Sequence, residues 1–119
     1  MAEDLQPGDF LVFQLESGFG LLRLLDKTVS NASTVWHLAS YENLFLDVDS
    51  AEAAAEIGVG LKTSHPHLAL TNRAFESTQV ARILNQPLSE DEKTRVEAWN
   101  SDPNNQPSDR SVRLLLGLR

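Results

Sequence analysis

Cysteine is absent from the 119 residues. That one gap removes disulfides, iron–sulfur clusters, thiolate nucleophiles and cysteine-based zinc sites together, and it fits a reducing compartment. Basic residues are scarce: ten Lys and Arg stand against seventeen Asp and Glu, for a formal charge of −7. Non-specific nucleic-acid binding draws on many Lys/Arg–phosphate contacts, so neither nucleic acid nor an anionic membrane is an expected partner. No apolar run approaches the ~20 residues needed to cross a bilayer. The opening Met1-Ala2-Glu3-Asp4 is acidic where a secretory leader is basic and then apolar. The expected location is the cytoplasm. Catalytic signatures are lacking too, with no G-x-S-x-G, no P-loop and no dinucleotide fingerprint. Gly58-Val59-Gly60 has neither a preceding strand nor a third glycine and reads as a helix end. No cofactor is expected.

What is present is a strand pattern. Residues 9–15 (DFLVFQL) and 19–25 (FGLLRLL) face each other across Glu16-Ser17-Gly18, and 34–41 (TVWHLASY) follows. The first run is apolar on both sides, with Phe10 and Val12 on one and Leu11, Phe13 and Leu15 on the other. A sheet half open to water alternates more cleanly, so this strand is covered on both faces or curls into a barrel. In the third run Trp36 and Leu38 share one face, and Val35, His37, Ala39 and Tyr41 the other. Residues 43–48 add a short strand or an extended approach.

Asp49-Ser50-Ala51-Glu52 has capping-box spacing, so a short helix over 51–57 ends at Gly58. Residues 67–75 (HLALTNRAF) read as a strand, and 78–84 suit either a helical face or a strand. A second capping box, Ser89 to Glu92, opens a helix over 90–100. Residues 101–111 form a polar loop with two prolines, expected to be mobile. Residues 112–118 (VRLLLGL) read as a strand returning to the sheet. Asn31-Ala32-Ser33 matches a glycosylation acceptor but reads better as a turn. The expected architecture is one α+β domain spanning 1–119. It is a small curled, mainly antiparallel sheet of five or six strands, SH3-like or a half-barrel, with two flanking helices.

Candidate sites are few. His65 and His67 flank Pro66, and residues two apart in an extended segment point to one face, so both imidazoles could reach one metal ion. His37 is a conceivable third ligand. The alternative is a pair of loop histidines at a strand entrance. Asp47, Asp49, Glu52 and Glu56 make an acidic cluster suited to acid–base work or a hard cation, although the capping box already employs Asp49 and Glu52. Trp36, Tyr41 and Trp99 could stack a ligand, but isolated aromatics at this spacing usually build a core. Arg23, set among leucines, either reaches to the sheet edge or pairs with a carboxylate such as Asp26 or Glu42.

The run Pro7-Gly8-Asp9-Phe10-Leu11-Val12-Phe13, followed by Gly18-Phe19-Gly20 and a second strand carrying Arg23, resembles the start of the Imm26-type immunity proteins. Those open with a Gly-Asp dipeptide entering a strand and a Gly-aromatic-Gly turn into the next. The resemblance covers about twenty residues of 119 and implies a non-enzymatic protein that binds and blocks a toxin. An acidic surface suits a basic toxin. The leading expectation is therefore a non-catalytic protein-binding module for a basic protein, with Asp47, Glu56, Glu90, Asp91 and Glu97 as contact residues. The alternative is a small metal-assisted hydrolase or isomerase using His65, His67 and a carboxylate near Asp47.

Overall fold

A computed structural model describes residues 5–29 and 33–117. Residues 1–4, Asn31 and Ala32 of the acceptor-like triplet, and Leu118 lie outside the described residues. Among the described residues there are five strands: β1 (Asp9–Leu15), β2 (Gly18–Val29), β3 (Thr34–Phe45), β4 (Thr63–Thr71) and β5 (Ala81–Asn85). The described helices are α1 (Val48–Ile57), α2 (Asn72–Glu76), α3 (Glu90–Ser101) and α4 (Val112–Leu116). The strands form one antiparallel sheet in the order β4-β3-β2-β1-β5. Among the described residues no ladder joins β4 to β5, so the sheet curls without closing into a barrel. Register shifts in the β1–β5, β2–β3 and β3–β4 ladders supply the curl, since each bulge bends and twists its strand.

The doubly apolar strands are explained by helices on both sides. Leu11, Phe13, Leu22, Leu24, Trp36, Leu38 and Leu70 pack under Ala74 and Phe75 of α2 and Val112 of α4. On the opposite face Phe10, Val12 and Leu21 meet Ala51 and Ala55 of α1. There too Leu25 and Ala39 meet Val96 of α3. The α+β class and curled antiparallel sheet are as the sequence implies.

Of the segments expected as strands, 67–75 turns helical at its end and 112–118 is helical from its first residue. β4 stops at Thr71, whose hydroxyl accepts from Ala74 N–H at 3.2 Å and caps α2. This short turn carries Phe75 onto Trp36, with ring centroids 4.1 Å apart. Residues 112–116 form α4, capped by Ser111 at its start and by Gly117 in the left-handed region at its end. Leucine is a good helix former, and Val112, Leu115 and Leu116 fall on one side of a turn, where they cover the core. The two short pieces bring the described helices to four, against the two expected.

The polar loop before α4 is joined to β4 and α2 near its end, through Ser108 and Asp109. Ser108 N–H donates to Ala69 C=O at 2.8 Å and Thr71 N–H to Ser108 C=O at 2.9 Å. Asp109 accepts from Thr71 and pairs with Arg73.

Two glycines of the opening motif have structural uses. Gly8 holds φ +97°, and a Cβ there would stand 2.5 Å from the Gln86 carbonyl oxygen. A Cβ on Gly20 would stand 2.4 Å from the Phe13 ring. Asp9 is fully buried, accepting from Gln6 N–H and Asn85 Nδ2, each at 2.7 Å, which ties β1 to the end of β5.

Candidate functional site

The chemistry-bearing side chains collect where α3 lies on β2, β3 and β4. Arg23 fixes α3 there, and its partner is Glu92 rather than Asp26 or Glu42. The guanidinium reaches Glu92 at 3.1 and 3.4 Å, the Gly8 carbonyl at 2.6 Å and the Pro87 carbonyl at 2.9 Å. Its carbon centre lies 4.4 Å from the Phe10 ring centroid. Sequence spacing of 69 residues hides this pair from local reading. Glu92 also accepts from Ser89 N–H at 2.8 Å, completing the expected capping box. Burial pushes the Glu92 carboxyl up, but the bonds from Arg23 and Ser89 outweigh it and hold the pKa below the ordinary value. One carboxylate thus starts the helix and anchors it to the sheet.

Beyond that anchor, His37 and His67 meet under Trp99. His37 Nδ1 lies 2.9 Å from His67 Nε2 and its Nε2 lies 3.3 Å from Thr28 Oγ1. The Trp99 ring stands edge-on to His37, centroids 5.1 Å apart. His37 is fully buried. Burial, then His37, then Arg95 lower the His67 pKa to about 4. Burial also lowers that of His37, with Asp26 opposing. Both rings are neutral at pH 7, and one N–H donates to the other's lone pair.

His65 is not part of this contact. Leu38 pairs with Leu68, but Ser40 pairs with His65, so β4 holds one extra residue at Pro66. That bulge breaks the two-residue alternation and sends the two imidazoles to different sides of the strand. His65 Nδ1 instead faces Ser40 and Ser64 hydroxyls, each at 3.4 Å. Among the described residues no group of three or more His, Cys, Asp or Glu side chains could hold a metal ion.

The acidic cluster near α1 divides as well. The N-cap lies two residues earlier than the sequence spacing suggests, at Asp47 rather than Asp49, where the carboxylate accepts from Ser50 N–H at 2.7 Å, so the helix begins at Val48. Hydrogen bonds from Ser50 hold the Asp47 carboxyl below its ordinary range. Asp49 falls in the first turn and Glu52 is exposed. The proposed contact residues Asp47, Glu56, Glu90, Asp91 and Glu97 are all exposed. They ride on α1, α3 or the residue that caps α1, and both helices cover the same sheet face. Gln86 Nε2 donates to the Glu56 carbonyl at 3.4 Å, linking the end of α1 to the approach to α3.

Between β2 and α3 lies a cleft of about 280 Å3. Leu25, Leu88 and Val96 give it an apolar floor, while Asp26, Glu97, Asn100 and Lys93 stand around it. Lys93 is drawn toward Glu90, 3.7 Å away. No signal in the sequence marks this cleft, because it exists only once α3 is docked.

The three candidate stacking residues are separated. Trp36 is buried among α2 and α4 residues, with its Nε1–H donating to Asn72 at 2.8 Å. Tyr41 stacks on Phe10 across the sheet, and Trp99 covers the histidines. No family model matches the chain, and neither a curated protein nor a solved structure matches it significantly.

Proposed function

We propose that this chain is a non-catalytic protein-binding module whose acidic helical layer docks a basic protein. An immunity-like blocker of a basic toxin is the form of that reading which the opening residues suggest. The observation that carries it is the placement of Glu56, Glu90, Asp91 and Glu97, all exposed, on two helices that cover one face of the sheet. Asp47 adds charge at the start of α1, where its bond to Ser50 keeps it ionised. Carboxylates gathered this way concentrate a negative field that raises the encounter rate with a positive surface. The interior polar groups are occupied with one another: among the described residues no buried side-chain nitrogen or oxygen lacks a partner. That leaves recognition to the surface.

The test is capture of a partner from the native host, followed by stopped-flow association at rising salt. The variant Glu56→Gln/Glu90→Gln/Asp91→Asn should slow association by roughly tenfold, within the range of electrostatic steering, and leave Tm nearly unchanged. An association rate that ignores both salt and the triple substitution overturns the reading, as does turnover of a small substrate.

A further inference from the structure

The cleft between β2 and α3 has the shape and polarity for a single long cationic side chain. At about 280 Å3 it falls just below the ~300–1,000 Å3 of sites that enclose a whole small molecule. Its floor is aliphatic: Leu25 and Val96 are buried, and Leu88 packs against them. Two carboxylates stand around that floor, Asp26 from the sheet and Glu97 from the helix. Among the described residues neither forms an ion pair. Asp26 does accept from the Lys27 N–H at 2.8 Å, which steadies its carboxylate. The one cation in the lining, Lys93, has Glu90 within 3.7 Å. Asn100 supplies an amide whose oxygen can accept a further N–H.

We infer that this cleft receives one arginine side chain of a basic partner protein. The methylene stem lies along Leu25, Leu88 and Val96, and the guanidinium bridges Asp26 and Glu97. Arginine fits better than lysine because a planar five-donor fork serves carboxylates on two walls at once. It is also more weakly hydrated than an ammonium and so loses less on leaving water. The inference rests on the proposed docking of a basic protein and names the pocket that anchors it.

The probe is Nα-acetyl-arginine amide, titrated into the 15N-labelled protein and followed by amide chemical shifts, with the lysine and norleucine analogues alongside. The expected result is saturable shifts centred on Leu25, Asp26, Leu88, Val96, Glu97 and Asn100, weaker with the lysine analogue and missing with norleucine. Glu97→Gln, an exposed change on α3, should weaken arginine binding by roughly two- to five-fold, the size of one exposed charge pair. Shifts spread evenly over α1 and α3, equal response to lysine, or no effect of Glu97→Gln would overturn the pocket. Such a failure, alongside salt-sensitive association of the captured partner, sinks the pocket alone. A saturable arginine site in a protein whose association ignores salt sinks the broader reading instead.

Discussion

Acidification should weaken the fold through the His37–His67 contact, and the geometry sets the scale. His67 takes a proton near pH 6.5 in an unfolded chain and only at about 4 in the native one. Between those values the unfolded state binds the proton and the native state does not. The contribution of His67 is therefore complete above about pH 6.5, declines as pH falls, and is fully lost below about 4. At 1.36 kcal/mol per pH unit the span corresponds to about 3.4 kcal/mol. The ring is only half-buried, so water screens part of this, and roughly 1–2 kcal/mol is the expected total. His37 adds in the same direction, because burial lowers its pKa as well, while Asp26 opposes. The 2.9 Å contact holds one N–H between the rings, so with both rings protonated two N–H groups would face each other beside Arg95.

Urea unfolding at about pH 7.5 and about pH 5 gives the measurement, on wild type and on His67→Gln. The substitution removes the titrating ring but keeps a polar end near His37. Carboxylates with lowered pKa values, Glu92 and Asp109 among them, also lose stabilisation on acidification, but they do so in both proteins. The difference between the two isolates the histidine. Wild type should lose about 1 kcal/mol more than the variant over that interval. Equal losses would refute the reasoning.

Trp36→Ala should cost about 3–5 kcal/mol in chemical unfolding, since Trp36 is 1% exposed and stacked on Phe75; a loss under about 1 kcal/mol would show that the ring is not core. Gly20→Ala should cost about 1–3 kcal/mol by overpacking, because its Cβ would press on the Phe13 ring at 2.4 Å. The double variant Gly20→Ala/Phe13→Leu should recover part of that loss, and strict additivity would contradict the contact. Arg23→Ala should cost about 3–5 kcal/mol by leaving Glu92 without its buried partner. Its amide exchange should quicken in α3 before it does in β2 and β3. Uniform exchange across helix and sheet would show that Arg23 does not specifically anchor the helix.

Much of the sheet was readable because its signals are local. Phe10 and Val12 against Leu11 and Phe13 implied cover on both faces, and the helices supply it on both. Ser89 and Glu92 marked the start of α3 for the same reason: both bonds of a capping box lie within one turn. Failures arose where distant residues decide. Thr71 ends β4 because its hydroxyl caps α2, which tertiary packing of Phe75 holds in place. Residues 112–116 carry an apolar run compatible with strand or helix, and the cover they give Trp36 and its neighbours settles the matter. The histidines misled through one residue, since the bulge at Pro66 separates His65 from His67 and leaves His67 to meet His37. The cleft was invisible because Leu25, Leu88 and Val96 come together only across the assembled fold.

The strand order carries a kinetic consequence. Strands β1, β2 and β3 are joined through short connections, and β4 adds to β3 after one helix, so each of these pairings closes a modest loop. The fifth strand pairs with the first, so Ala81 must find Val12 across the whole of the preceding meander. Loop-closure entropy makes that the slowest pairing to form. Because β5 feeds directly into α3, the helix that carries Glu90, Asp91 and Glu97 and walls the cleft settles with this last strand. A chain emerging slowly from synthesis would thus hold a completed four-strand meander, with α1 upon it, before α3 and the cleft beneath it take shape.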